Sequence, residues 1–300
     1  MSNGPGTLTY SIADLDSARH DGDSPPPRHK LIVCSSPRTG SYLLAEALRR
    51  LGLGVPHEYF NPPTMRVLCA RWAIPVPHRD RKPQWWRSLR RRADRRNLEF
   101  LALYLDRLQL RRTRNGVFAA KIQHWQYERL LDNAFGHELF AGARVAYLYR
   151  EDLLAQAISL RLAEITGQWG TDGVATTRAV RNIDPLDMTE LHRAVERLRA
   201  EEEGWKRTFA RLALAPATLS YESMRDDPLS AARRLALELL PGVAQDALPP
   251  VEVSRAESGS SAVRASMRDA YLKVRGLPKR VRARRPAGMG GRMRDLTGRG

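Results

Sequence analysis

Short apolar runs along the chain alternate with longer stretches whose apolar residues recur at helical spacing. The runs are rich in β-branched and aromatic residues and end at turn residues, which predicts buried strands. They are KLIVCSS at 30–36, VFAAKIQ at 117–123, GARVAYLYR at 142–150 and APATLSYE at 215–222. Because the runs are continuously apolar and not alternating, they are typical of a parallel sheet that is covered on both faces.

The stretches between these runs predict helices. A helix follows the first strand and ends at Gly52, a residue type that favours the left-handed conformation found after a helix. A later helix begins at Asp227-Pro228, where the aspartate is a good cap and proline suits the first helical position. The other predicted helices cover 85–113, in one or two pieces, 151–166 and 188–212.

Strands that alternate with helices predict an α/β fold, with a parallel central sheet flanked by helices. Residues 1–29 are polar and contain the run PPP, which predicts a disordered leader. Residues 30–255 form the predicted domain, and residues 64–115 are a basic helical insert within it. Residues 256–300 are predicted to be a basic and mostly disordered tail, in which ASMRDAYLKVRG is compatible with a short helix.

The positive charge of the chain is concentrated in two segments. The net charge is +17. Residues 66–114 carry 15 Lys and Arg against 4 Asp and Glu, and residues 264–300 carry 12 against 2, so the remainder is slightly acidic. Such a distribution favours anionic partners, including nucleotides, phosphorylated or sulfated substrates, nucleic acids and anionic lipids, without choosing among them.

The remaining composition indicates a cytoplasmic protein. Cys34 and Cys69 make neither a disulfide framework nor a metal site, which favours a reducing compartment and predicts no bound metal. The N-terminus shows no signal-peptide pattern, and no apolar stretch approaches the ~20 residues of a membrane span.

The strongest local signal is the strand–loop–helix sequence LIVCSSPRTGSYLLAEAL. Gly40 allows close backbone approach, Ser36, Thr39 and Ser41 carry hydroxyl groups, and Arg38 carries a fixed charge. The first turn of the following helix has unpaired N–H groups that suit an anion. The segment lacks the G-x-x-x-x-G-K-[ST] pattern of ATP-binding loops. On its own, it is equally compatible with a phosphate-binding loop and with an ordinary turn between strand and helix.

This loop resembles the 5′-phosphosulfate loop of sulfotransferases, and more of the chain resembles the bacterial trehalose 2-sulfotransferase family. The matching stretches span roughly residues 30–240 in order. They are LIVCSSPRTGSYLLAEAL, GVPHEYF, NGVFAAKIQHWQ, YREDLLAQAISL, AEEEGWKRTF and LSYESMRDDP. The resemblance implies a P-loop-like sulfotransferase fold, the nucleotide donor PAPS (3′-phosphoadenosine-5′-phosphosulfate), a sugar-containing hydroxyl acceptor, no metal and a homodimer.

The resemblance also implies roles for single residues. Arg38 matches the loop arginine that stabilises the departing phosphate, with Ser36, Thr39, Gly40 and Ser41 completing the loop. Arg150 and Ser159 match the arginine and serine that hold the 3′-phosphate. Glu58 in PHEYF matches the general base that takes the proton of the acceptor hydroxyl. Without the resemblance, Arg150 would more simply pair with Glu151 or Asp152, and Glu58 would be a solvated acid.

Other residues compete for roles at the acceptor. His57 and His124 are alternative bases, since neutral imidazole can accept a proton, although isolated histidines are more often structural. Lys121 could contact substrate or lie at the surface. Trp205 is expected in the core, and Trp85, Trp86 and Trp125 either stack on a sugar or pack internally. Tyr42 departs from the small hydroxyl residue of the relatives.

Two other functions remain open. The basic segments with nearby tryptophans are compatible with a nucleic-acid-binding protein, although no recognised nucleic-acid motif occurs. A P-loop-like kinase is the other alternative, although the Lys-Ser/Thr that would follow the loop glycine is absent.

Overall fold

The computed structural model describes residues 7–8, 11–77, 95–132, 134–170, 185–240, 243, 255–256 and 261–275. The strands are β1 (Thr7–Leu8), β2 (His29–Ser35), β3 (Val117–Gln123), β4 (Arg144–Tyr149), β5 (Ala217–Ser220) and β6 (Arg255–Ala256). The helices are α1 (Ile12–Leu15), α2 (Ser41–Arg50), α3 (Pro62–Arg71), α4 (Arg95–Arg112), α5 (His124–Gln126), α6 (Ala134–Phe140), α7 (Leu153–Thr166), α8 (Pro185–Arg211), α9 (Tyr221–Met224), α10 (Pro228–Leu239) and α11 (Ser261–Arg275).

The central sheet is parallel and has the order β3-β2-β4-β5 among the described residues. Val33 of β2 lies opposite Lys121 of β3 on one side and Ala146 of β4 on the other. The predicted strands and the α/β class are therefore confirmed. Because the strands run in the same direction, the loops after β2, β3 and β4 emerge at one edge, where ligands of open α/β sheets bind.

Helices cover both faces of the sheet. Leu31 and Val33 of β2 face α2 and α10, whereas the alternate residues Ile32 and Cys34 face α3, α4 and α8. This alternation is the two-residue period of a strand with an apolar layer on each side. The predicted strand–helix packing is confirmed, including Gly52 after α2 with φ +74° and the Asp227 cap on α10.

The basic insert is built into the core. Within the predicted 64–115 segment, α4 buries Phe100, Leu101, Tyr104 and Leu108 in the same cluster as Ile32. The helical prediction is confirmed for the described residues, while 78–94 lie outside them. Arg95, Arg96 and Arg107 are exposed on the opposite positions of this helix, so most of its charge coexists with a packed helix face.

The prediction of a disordered leader is wrong for residues 11–29. Leu15 is 1% exposed, and the buried Arg112 donates to its carbonyl oxygen at 2.8 Å. Asp21 pairs with Arg112 and accepts a hydrogen bond from the indole of Trp72 at 2.8 Å. The low hydrophobicity of residues 11–29 led to the prediction of disorder, whereas the segment is held by ion pairs, hydrogen bonds and one buried leucine.

The tail contains the helix that the sequence allowed, as α11. Met267, Tyr271 and Leu272 are buried against α7 and α8, and Arg268 pairs with Asp152 at 2.8 Å. Residues beyond 275 lie outside the described residues. No helix in the described part of the chain is long and apolar enough to cross a membrane.

Candidate functional site

The loop between β2 and α2 is held in a tight backbone conformation. Arg38 and Gly40 have φ values of +65° and +79°, in the left-handed region. A Cβ atom on Gly40 would lie 2.6 Å from the ring of Tyr221, so glycine is required both by the backbone and by space. The first turn of α2 follows at once, and Ser41, Tyr42 and Leu43 line a cavity of about 660 Å³ together with Gly40 and Arg38.

Part of the loop is fastened from inside the protein. The side-chain amide of Gln156, on α7, donates to Ser36 Oγ at 2.8 Å and to the Pro37 carbonyl at 2.7 Å. Thr39 Oγ1 donates to the Ser36 carbonyl at 3.0 Å. Neither Ser36 nor Thr39 is among the residues that line the cavity. Both hydroxyls therefore hold the shape of the loop, and their direct contact with a nucleotide stays a prediction.

Arg38 reaches from the loop to α7. Its Nε donates to Ser159 Oγ at 3.1 Å, and its Nη1 donates to the carbonyl of Trp169 at 2.9 Å. The partners of its guanidinium in these contacts are neutral, so its positive charge is not cancelled by them. The structure thus brings together Arg38 and Ser159, both of which line the cavity.

Arg150 lies beside the same loop. Its Nη1 donates to the Arg38 carbonyl at 3.4 Å, and its guanidinium lies 4.5 Å from the centre of the Tyr221 ring. The nearest carboxylate is that of Glu222 at 3.8 Å, in place of the Glu151 or Asp152 expected from sequence. Burial lowers the pKa of Arg150, and its buried Nε has no hydrogen-bond partner. An arginine so weakly compensated suits an anionic ligand.

Glu58 lines the same cavity as Arg38 and Arg150, and its side chain is 5% exposed. Lys121 Nζ and Gln123 Nε2 donate to one carboxylate oxygen, and Gln126 Nε2 and Asn61 Nδ2 donate to the other. Burial by itself raises the pKa of Glu58, but the charge and hydrogen bond of Lys121, together with His57 and the hydrogen bond of Gln126, lower it, and the net pKa is lowered. The carboxylate is therefore ionised at neutral pH.

Lys121 is buried between two partners. It pairs with Glu58, and its ammonium lies 3.6 Å from the centre of the Tyr42 ring. Burial lowers its pKa, and the charge of Arg38 contributes in the same direction. Lys121 thus interacts electrostatically with both Glu58 and Arg38. Because its side chain is buried, the interpretation as a surface lysine is wrong.

The two histidines do not reach the cavity lining among the described residues. His57 is fully buried, with its Nε2 3.0 Å from an Asp16 oxygen. The His124 ring packs edge-on against Trp205, with ring centres 5.3 Å apart. Trp205 is fully buried and donates to the Ser35 carbonyl at 2.8 Å, which confirms its core placement.

Several cavity residues carry no signal in the sequence. Trp125 and Trp169 both line the cavity, whereas Trp85 and Trp86 lie outside the described residues. The lining residues that sequence reasoning missed include Ile12, Asp16, Trp169, Glu201, Tyr221 and Arg264. Of these, only Arg264 belongs to a readable sequence pattern, because it shares one helix face with Met267, Arg268 and Tyr271.

No group of three or more His, Cys, Asp or Glu side chains that could hold a metal ion occurs among the described residues. The charges of the site are those of arginine, lysine and carboxylate side chains. Arg38 and Arg150 line one part of the cavity with little acidic compensation, which suits an anion.

Comparisons with known proteins identify the family of the chain. A curated relative named trehalose 2-sulfotransferase, from Mycolicibacterium smegmatis (strain ATCC 700084 / mc(2)155), is 26% identical over 219 residues, which are 63% of this chain and 76% of the relative. The family model described as Stf0 sulphotransferase matches residues 30–261. The match covers more than half of the chain and includes the loop, Glu58, Arg150 and Ser159, so the chain belongs to the Stf0 sulphotransferase family.

Proposed function

We propose that the chain transfers a sulfuryl group from PAPS to a hydroxyl group of a carbohydrate or glycosylated metabolite. The observation that carries this proposal is the position of Arg38, Arg150 and Ser159 on one cavity whose lining also contains the ionised carboxylate of Glu58. Phosphate-binding groups and a proton acceptor are the parts that sulfuryl transfer to an alcohol needs. The family membership supports the reaction class.

Arg38, Arg150 and the first turn of α2 bind the nucleotide in this proposal. Arg38 and the backbone N–H groups of Gly40 and Ser41 face the 5′-phosphosulfate, where negative charge grows on the leaving phosphate. Arg150 and Ser159 hold the 3′-phosphate. Arg38 exchanges its hydrogen bond with Ser159 for one with the nucleotide. Arginine and amide groups supply the charge stabilisation, so excess EDTA is expected to leave transfer unchanged.

Glu58 acts as the general base at the acceptor. The acceptor oxygen forms a bond to sulfur while the bond between sulfur and the phosphate oxygen breaks, and the hydroxyl proton moves to Glu58. The hydrogen bonds from Gln123 and Gln126 fix the orientation of the carboxylate. Lys121 keeps Glu58 ionised. It is also close enough to Arg38 for their charges to interact, so it can stabilise the negative charge of the sulfuryl group during transfer.

An uncharged, hydroxyl-rich acceptor suits the Glu58 side of the cavity. Lys121 is already paired with Glu58 there, and Arg197, which also lines the cavity, is paired with Glu164. The indole ring of Trp125 lines the cavity and can pack against the face of a sugar ring, whereas the amides of Gln123 and Asn61 also line it but already donate to Glu58. The name of the mycobacterial relative points to the same class of acceptor.

Calorimetric titration with PAP, the product nucleotide, tests the nucleotide site. Wild type is expected to bind PAP, and Arg150→Ala is expected to bind it about 10- to 100-fold more weakly, as for the loss of a charge-assisted contact. Arg225→Ala is the matched control, because Arg225 is exposed and pairs with its neighbour Asp226 at the surface. Its PAP affinity should equal that of wild type.

Transfer of label from PAPS to a panel of neutral sugars and glycosides then tests the reaction. Product formation with at least one neutral sugar is expected. Failure of the wild type to bind PAP, together with salt-dependent binding of DNA or RNA, would instead support the nucleic-acid alternative. The predicted homodimer and cytoplasmic location remain predictions, and light scattering on the purified chain tests the former.

A further inference from the structure

The C-terminal helix α11 brings an additional cation to the arginine side of the cavity. Arg264 lines the cavity together with Arg38, Arg150 and Tyr221. The family match ends at residue 261, so nothing in the family resemblance assigns a role to this residue. Its participation in the cavity is a property of the tertiary structure.

The helix is anchored on the same elements that carry the nucleotide-binding residues. Met267 and Tyr271 are buried against α7, which also carries Gln156 and Ser159. Arg268 pairs with both oxygens of Asp152, the residue that caps α7, at 2.8 and 3.1 Å. Residues 264, 267, 268 and 271 share one helix face, so docking this face on α7 places Arg264 at the cavity.

Arg264 lies in an environment that lacks compensating charge. No ion pair or hydrogen bond of its side chain is formed with the described residues. Burial is the main cause that lowers the pKa of Arg264, and the positive charge of Arg38 lowers it further. Arg264 in turn is among the groups that lower the pKa of Arg150. Mutual repulsion among three guanidinium groups in one cavity is relieved when an anion lies between them.

We propose that Arg264 binds a phosphate group of the nucleotide donor, so that docking of α11 and nucleotide binding stabilise each other. This inference rests on the proposed function, because it takes the ligand to be an adenosine nucleotide with two phosphate-bearing positions. Reciprocity follows from linkage: a ligand that contacts the docked helix stabilises docking by the same factor by which docking raises the affinity for the ligand.

Titration calorimetry of the full chain with adenosine 3′,5′-bisphosphate and with adenosine 5′-monophosphate tests the contact. Arg264→Ala should weaken binding of the bisphosphate by at least about tenfold. Lys273→Ala is the matched control, because Lys273 is exposed on the same helix and its removal changes the net charge equally. Its affinity should stay within about twofold of wild type. An effect of Arg264→Ala on the bisphosphate alone assigns Arg264 to the 3′-phosphate, and an effect on both nucleotides assigns it to the 5′-phosphate.

Hydrogen exchange of the amides of 261–275 gives the second readout. The bisphosphate should slow exchange in this helix in wild type and in Lys273→Ala, and not in Arg264→Ala. Equal bisphosphate affinity of wild type and Arg264→Ala, with no change in exchange, overturns the inference while leaving the proposed function intact. Absence of any nucleotide binding by wild type overturns the proposed function instead.

Discussion

The Nε of Arg38 donates a hydrogen bond to Ser159 Oγ at 3.1 Å, although 121 positions separate the two residues in the sequence. The contact exists because β2 and β4 are neighbours in a parallel sheet, so the loop after β2 and the helix after β4 meet at one edge. Each residue satisfies part of the hydrogen-bonding capacity of the other. A phosphate group that accepts a hydrogen bond from the Nε of Arg38 would therefore replace this contact with Ser159.

Ser159→Ala is expected to weaken PAP binding less than Arg38→Ala does. The serine contributes a neutral hydrogen bond worth about 1 kcal/mol, whereas the arginine contributes a charge-assisted contact of about 1.5–3 kcal/mol. Calorimetry on both single variants and the double variant measures their coupling, which should differ from zero because the side chains touch. Equal losses for the two single variants would contradict this assignment.

Glu58→Gln should reduce kcat by at least about 100-fold, because the amide cannot accept the hydroxyl proton, and should leave PAP affinity unchanged. Glu203→Gln, at an exposed ion pair with Lys206, is the control.

Since the pKa of Glu58 is lowered, the carboxylate stays ionised, and wild-type kcat should not fall between about pH 8 and pH 6. A decline within this range would contradict Glu58 as the base and point to a histidine.

Gly40→Ala and Gly142→Ala separate backbone strain from steric contact. Both glycines have a left-handed φ, +79° and +68°, so both variants should lose about 1–2 kcal/mol of unfolding free energy. A Cβ on Gly142 meets nothing within 4 Å, whereas one on Gly40 meets the Tyr221 ring, which contacts Arg150. Only Gly40→Ala should therefore weaken PAP binding. Unchanged affinity in that variant would show that the ring contact is dispensable.

Arg112→Leu and Arg111→Ala test the attachment of the N-terminal segment. Arg112 is fully buried, bonds to the Leu15 carbonyl and pairs with Asp21, so its loss should cost about 3–5 kcal/mol of unfolding free energy. Arg111 pairs with Asp23 at the surface and should cost under about 0.5 kcal/mol. Urea denaturation of the two variants measures both values. Similar losses in both would mean that residues 11–29 contribute little to stability.

Glu201 should make stability fall as the pH rises. Burial raises its pKa from 4.5 to about 7, although backbone N–H groups of Trp125 and His124 partly oppose this. Between these values the folded chain retains a proton that the unfolded chain has lost, so the stabilisation is present below about pH 4.5 and lost above about pH 7. The loss is at most about 3 kcal/mol.

The variant Glu201→Gln should reduce this pH dependence when unfolding free energies at pH 5 and pH 8 are compared. Part of the pH dependence of the unfolding free energy should persist in this variant, because burial also raises the pKa of the adjacent Glu202 to about 7. The exposed Glu203→Gln serves as the control and should follow wild type. An unchanged slope in Glu201→Gln would show that its carboxyl ionises normally in the folded chain.

The sequence predicted the strands of the central sheet because continuous apolar runs with turn residues at their ends have few alternative structures. It also predicted the loop, Glu58, Arg150 and Ser159 as candidates through the resemblance. It failed for residues 11–29, where attachment depends on polar partners such as Arg112 and Asp21 that lie far apart in the chain. Low hydrophobicity cannot distinguish such a segment from a disordered one.

The apolar pattern by itself determined which segments become strands and helices, since burial of apolar surface acts locally and repeats with the period of each element. Only the tertiary structure decided that Gln156 fastens the loop, that Lys121 pairs with Glu58 and that Arg264 reaches the cavity. Those contacts join residues from different elements across the strand edge. Their formation depends on the order of the strands and the packing of the helices, which no local pattern encodes.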